Sequence, residues 1–173
     1  RSPHVWKEDI EGAYRFLPIG REEQKFFLFG AYSPDGELHI FAHKTAPFGA
    51  VGSVQAWHRF GAALASIARR VLLVVVCRWV DDFFGLDGWE AFNKFLLICG
   101  VPRKLVKSMP PSVIGEILGN QVALFRLHCK VSVLPSRADS IREIADEALQ
   151  HDSMRPAAAG KLAGKVTSVA IAC

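Results

Sequence analysis

No stretch of this chain stays apolar for long. The longest unbroken apolar run, Val71 to Cys77, has seven residues and ends at Arg78. A bilayer-spanning helix needs about 20, so no membrane partner is expected. Cysteine is scarce and dispersed, at positions 77, 99, 129 and 173. No CxxC pair occurs, which removes zinc-ribbon and dithiol redox motifs. Free thiols in a reducing compartment, cytoplasm or nucleus, fit this usage better than a disulfide framework. P-loop, GxGxxG, GxSxG and HExxH motifs are all missing, and with them the usual marks of several enzyme classes. No secretory signal, repeat or low-complexity tract is present. The first residue is Arg1 rather than Met, and Cys173 closes an apolar segment. Both ends are therefore expected to be cuts in a longer polypeptide.

What is present is the balance of a globular domain: 50% hydrophobic and 22% charged residues. The length of 173 residues fits one domain with a sizeable core. The net charge of +4 is concentrated in the middle third, where residues 51–110 carry eight Lys/Arg against four Asp/Glu. Arg69, Arg70, Arg103, Lys104 and Lys107 contribute to that excess, a composition that favours phosphate backbones or simply a solvated face.

Periodicity predicts a short strand over Val5–Glu11 and an irregular turn over Gly12–Gly20. A hairpin follows, Phe26–Tyr32 and Leu38–His43 around Ser33-Pro34-Asp35-Gly36, where Pro fixes φ and Gly accepts a positive one. Val51–Arg70 is the clearest helix, with Val51, Val54, Trp57, Gly61, Leu64, Ala68 and Val71 forming one stripe. The β-branched run Leu72–Val80 suits a strand buried on both faces, and Phe83-Phe84 a return strand. Trp89–Cys99 is a second amphipathic helix, stopped by Gly100 and Pro102. Val113–Leu118 and Val122–Leu134 read as strands. Helices follow from Ser136 to about Gln150 and from Pro156. This order predicts an α+β fold with a mostly antiparallel sheet and helices packed on one face.

The most informative segment is Arg78-Trp79-Val80-Asp81-Asp82-Phe83-Phe84. Two adjacent carboxylates interrupt an apolar strand–turn–strand. Ionising both in a partly buried place is costly, and a divalent cation relieves the cost. On this segment alone a cation site and a solvated hairpin turn are both open. Lys7-Glu8-Asp9-Ile10-Glu11-Gly12-Ala13-Tyr14-Arg15 and Ala46-Pro47-Phe48-Gly49 are individually unremarkable. His39 and His43 lie on a strand without a third ligand, so no zinc site is expected there.

Taken in order, Asp9, Pro47-Phe48-Gly49 and Asp81-Asp82 resemble the palm of reverse transcriptases. Lys7-x-Asp9-x-x-x-Ala13-Tyr14-Arg15 is similar to the first catalytic motif of that family. Pro47-Phe48-Gly49 with Ser53 and Trp57 is similar to the second, and Trp79-Val80-Asp81-Asp82 to the third. Gly100 with Lys107-Ser108 resembles the fourth, and Ile117-Leu118-Gly119 the fifth, which grips the primer. Ala159-Gly160-Lys161-Leu162-Ala163-Gly164-Lys165 resembles a stretch after the palm in retroelement polymerases of the tyrosine-recombinase type. Two departures are visible: Trp79 stands where Tyr is usual, and Ser53-Val54 where Ala-Pro is commoner.

The resemblance implies a polymerase palm over residues 1–134 and a truncated start of a helical thumb over 135–173. Fingers and the rest of the thumb would come from missing segments of the same polypeptide. It implies template-directed DNA synthesis, with RNA or DNA template, primer and dNTP as partners. Two Mg²⁺ (or Mn²⁺) ions would be held by Asp9, Asp81, Asp82 and the backbone carbonyl of Ile10. Lys107 would protonate the leaving pyrophosphate. Ala13, Tyr14, Phe48, Gly49 and Trp79 would line the nucleotide site, with Tyr14 under the sugar. Leu118 and Gly119 would belong to the primer grip. Rival readings are a repurposed palm that binds nucleic acid without catalysis, another palm-type nucleotidyl enzyme such as a cyclase, and an interaction domain whose acidic turn is incidental.

Overall fold

A computed structural model describes residues 3–151 and 153–170 of the chain. The chain folds as α+β with antiparallel hairpins and four α-helices. Contacts divide it into two compact units, residues 7–108 and a second that joins the start of the chain, up to Trp6, to the part from Met109 onward.

The 7–108 unit holds most of β1 (Val5–Asp9), the hairpin β2 (Leu28–Tyr32) and β3 (Leu38–Ala42), helix α1 (Val51–Arg70), the hairpin β4 (Val75–Trp79) and β5 (Asp82–Leu86), and helix α2 (Trp89–Ile98). Strands β4, β5 and β1 are neighbours in that order. Cross-strand partners share a face of a sheet. Val76 pairs with Gly85 and Arg78 with Phe83, so these four share one face, and the helices cover it. The Arg78 stem lies over Gly61 of α1, and the Phe83 ring meets Phe92 of α2 with centroids 5.3 Å apart. Trp6, Trp57, Phe83, Phe92 and Leu96 are fully buried. Trp79 pairs with Asp82 on the opposite face, which the helices leave open.

In the second unit β6 (Met109–Ser112) is hydrogen-bonded beside β1, whose first residues belong to this unit. Strands β7 (Ile114–Ile117), β8 (Asn120–Leu124) and β9 (Cys129–Val133) form an antiparallel meander. Helices α3 (Pro135–His151) and α4 (Pro156–Ala170) pack on each other, with the Lys165 ammonium donating to the Ser140 hydroxyl.

The structure corrects four sequence expectations. The run from Leu72 does not enter a strand until Val75, because Leu73 sits at φ 55° in the left-handed region. Strand β4 is buried on one face only, with Val75 and Cys77 exposed. The segment Val122–Leu134 is two strands, folded back where the Phe125 N–H donates to the His128 carbonyl at 2.9 Å. Val51 and Val71, at the ends of the α1 stripe, are exposed, and Ser53 and Ala65 are buried instead. Cys173 lies outside the described residues, and Cys77, Cys99 and Cys129 are free thiols. Among the described residues no helix is long and apolar enough to cross a membrane.

Candidate active site

The site grows from the open face of the β4-β5-β1 sheet. The β4–β5 turn has only two central residues, Val80 and Asp81. Such turns favour a positive φ at the first, and Val80 takes it at φ 52°. For a β-branched residue that conformation is strained, by about 1–3 kcal/mol. Its carbonyl is clamped from two sides. Trp57 Nε1 of α1 donates to it at 2.7 Å and Arg78 Nη1 at 2.7 Å. The other Arg78 nitrogen reaches His58 Nδ1 at 3.0 Å and its carbonyl at 3.3 Å. A side chain at Gly61 would intrude on this clamp, since its Cβ would lie 3.0 Å from Arg78 Cδ. Burial and the Arg69 charge lower the Arg78 pKa.

The turn is pinned to β1 by its backbone. The Ile10 N–H donates to the Asp81 carbonyl at 3.2 Å. This bond brings the end of β1, with Asp9, beside the start of β5, with Asp81 and Asp82. The three carboxylates interact: burial raises the Asp82 pKa, Lys7 lowers it, and Asp81 and Asp9 raise it again. Two ammonium groups answer them. Lys107 Nζ lies 3.1 Å from Asp9 Oδ2, and Lys7 Nζ 3.6 Å from Asp82 Oδ1. The hydrogen bond and charge of Asp9 raise the Lys107 pKa. Asp9 is buried, and Asp82 Oδ1 is buried without a hydrogen bond.

Among the described residues no three His, Cys, Asp or Glu side chains form a ready-made metal cluster. Mg²⁺ does not require one. It takes hard oxygens, commonly one or two carboxylates, and completes its shell with water and phosphate. Asp9, Asp81 and Asp82, whose Oδ1 has only the long Lys7 ion pair, are the donor type that fits.

The other candidates fall in two places. Ala13 is buried in a 3₁₀ turn, Ala13–Phe16, after β1. The neighbouring Tyr14 ring stands edge-on to Phe48, centroids 5.1 Å apart. The Arg15 guanidinium lies 5.8 Å over the same Phe48 ring. Gly49 is needed for its φ of 88°; a Cβ there would meet nothing within 4 Å. Trp79 is 64% exposed on the open face. Leu118 and Gly119 belong to the second unit, at the tip of the β7–β8 hairpin. Both have positive φ, 50° and 75°, and Arg137 Nη1 donates to their carbonyls at 3.4 and 3.1 Å.

Sequence reasoning assigned no role to Glu8, Trp89 or Arg78, and counted Arg103 only toward the basic excess, whereas its guanidinium pairs with Glu8. Glu8 had a signal. Strand alternation puts it on the face opposite Lys7 and Asp9, so a charged side chain had to point into the core.

No protein-family model matches the chain, and no curated protein does. Among solved structures it is similar to the foamy viral protease-reverse transcriptase in complex with an RNA/DNA hybrid. The identity is 18% and the TM-score 0.62, over 82% of this chain and 18% of that chain. The likeness is one of fold. The chain spans less than a fifth of that protein's length.

Proposed function

We propose that this chain is the palm of an RNA-directed DNA polymerase of the retroelement type, similar to those of tyrosine-recombinase retrotransposons. Its reaction is attack of a primer 3′-hydroxyl on the α-phosphate of a dNTP, with pyrophosphate leaving, directed by an RNA or DNA template. The observation that carries this reading is the Ile10 N–H to Asp81 carbonyl bond of 3.2 Å. It joins two acidic segments 72 residues apart on one open sheet face. The neighbour's complex with an RNA/DNA hybrid supports the nucleic-acid part.

Asp9 and Asp81, with Asp82 in support, hold Mg²⁺ or Mn²⁺, aided by the Ile10 carbonyl. Bound there, divalent ions would supply Lewis acidity to the attacking hydroxyl and to the charge on the phosphoryl oxygens. The clamped Val80 carbonyl keeps the Asp81 backbone from drifting, which matters because positioning supplies much of the rate. Tyr14, braced edge-on by Phe48, lies under the nucleotide sugar. Lys107, whose ammonium rests 3.1 Å from Asp9 Oδ2, hands its proton to the leaving pyrophosphate.

Primer extension on an RNA template, by the polypeptide that carries these residues, tests the reading. Changes one shell away from a metal cost up to about 100-fold, so Asp81→Asn should cost at least that. Extension that survives Asp81→Asn rejects the proposal. One observation favours the repurposed, non-catalytic palm: Lys7 and Lys107 already neutralise Asp82 and Asp9 without any ion. Nucleic-acid binding with no extension in either Mg²⁺ or Mn²⁺ would select it.

A further inference from the structure

Glu8 is fully buried, yet it carries a charge-bearing group. Its Oε1 accepts hydrogen bonds from Trp89 Nε1 at 2.6 Å and from Arg103 Nη1 at 3.2 Å. Its Oε2 is buried with no hydrogen-bond partner. Burying a carboxylate against one partly exposed guanidinium is a poor route to stability, and an apolar residue of similar volume often does better. The arrangement supplies register instead.

Arg103, the ion partner of Glu8, is also the antiparallel bridge partner of Ile10. On either side of that bridge the Glu11 N–H donates to the Pro102 carbonyl at 3.0 Å, and the Lys104 N–H to the Asp9 carbonyl at 2.9 Å. A short 3₁₀ turn, Leu105–Lys107, follows, closed by the Lys107 N–H on the Lys104 carbonyl at 2.9 Å. From there the Lys107 ammonium reaches Asp9 Oδ2. Leu105, Val106 and the Lys107 stem are exposed, so apolar packing does not hold this turn. Its position depends on the bonds to β1.

We infer that Glu8 is a positioning residue: through Arg103, on the face of β1 opposite Asp9, it fixes the register of residues 102–107 and so sets the Lys107 ammonium on Asp9. The link between Glu8 and Lys107 stands on geometry; its importance for catalysis rests on the proposed function. Without the Glu8 charge, the partly exposed Arg103 turns to water. The 102–107 segment then loses its side-chain anchor, and Lys107 leaves Asp9.

Acetylation of individual lysines in the whole chain, followed by mass spectrometry, reads this directly. Asp9→Asn gives the rate of an unpaired Lys107. Glu8→Gln retains an acceptor for Trp89 and removes the charge. It should speed Lys107 acetylation by about threefold or more, while the half-buried Lys7 and Lys165 stay at wild-type rates. Because both variants act on one ion pair, the double variant should react no faster than Asp9→Asn alone. A wild-type Lys107 rate in Glu8→Gln, or additive effects, overturns the inference. General loosening would speed Lys7 and Lys165 as well. If Glu8→Gln does not fold, Glu8→Gln with Arg103→Met strands no buried charge and cuts the same link. Lys107 still protected there is equally fatal. Mn²⁺ titration of the wild-type chain separates the two readings. A chain that binds no Mn²⁺ fails as a polymerase palm, while the acetylation result still decides the role of Glu8.

Discussion

Asp82 is charged at a cost to the fold. Burial raises its carboxyl pKa above the ordinary 3.8, Lys7 opposes the rise, and Asp81 and Asp9 add to it. A carboxyl with a raised folded-state pKa binds its proton more tightly folded than unfolded. Its contribution to stability is therefore full below about pH 4 and is lost as pH rises through the folded pKa. Asp82→Asn should raise the melting temperature at pH 7 by about 1–3 °C. The gain should shrink towards pH 4, as the wild-type group takes up its proton. Thermal unfolding at the two pH values checks this, and an unchanged or lower melting temperature at pH 7 contradicts it. Tyr14 makes a second prediction, conditional on polymerase activity. If its ring meets the sugar, discrimination is steric, and Tyr14→Val should raise ribonucleotide incorporation relative to deoxynucleotide by about tenfold or more. An unchanged ratio in competing-nucleotide assays would reduce Tyr14 to a packing partner of Phe48.

The β2–β3 hairpin is the least supported element. All ten of its strand residues are exposed, although Phe29 and Phe41 stack across the ladder. A two-stranded ladder without a covered face is marginal in water. Its amides should exchange with solvent about 100-fold faster, or more, than those of Leu64 and Ala65 in α1. Equal protection by hydrogen-exchange mass spectrometry would mean that something covers the hairpin. Elements with one dominant local cause were legible in the sequence. Helix α1 has the bounds its stripe predicts, and the Pro34-Asp35-Gly36 turn sits where its residues require. Strand β6 escaped because Pro110 and Pro111 carry no N–H and argue against any strand. The break at Leu73 escaped because nothing in Val71–Val76 marks a left-handed residue. At the site, the acidic pair Asp81-Asp82 stands out in an apolar run and drew attention at once. The Glu8–Arg103–Trp89 cluster joins residues more than 80 positions apart, and no local pattern announces it.

Over the whole molecule, large apolar side chains are exposed well beyond the hairpin. Phe48, Leu97, Ile98, Val106, Leu127 and Leu149 are all open to solvent. Scattered single residues would be ordinary, but the hairpin carries Leu28, Tyr32, Leu38 and Ile40 together on one exposed face, and contiguous apolar surface of that kind drives association. The isolated 173-residue chain should therefore self-associate as its concentration rises into the micromolar range, despite a net charge of +4. Sedimentation velocity at rising salt separates the causes. Apolar association persists or strengthens, whereas charge pairing is screened within a Debye length of about 8–10 Å at 0.1–0.15 M salt. Dissociation at high salt would contradict the apolar account.

The placement of Trp79 has an optical consequence. It is the cross-strand partner of Asp82 and two positions from Asp81, and the Trp57 indole donates to the Val80 carbonyl between Trp79 and Asp81. Opposed residues on an antiparallel pair lie about 5 Å apart, a distance over which an excited indole transfers energy to a luminescent lanthanide. A terbium ion seated on those carboxylates would glow green under ultraviolet light absorbed by Trp79 and Trp57. The protein would thus carry its own antennae for a cation at the β4–β5 turn, and replacing Trp79 with Phe would dim the signal to the share that Trp57 supplies.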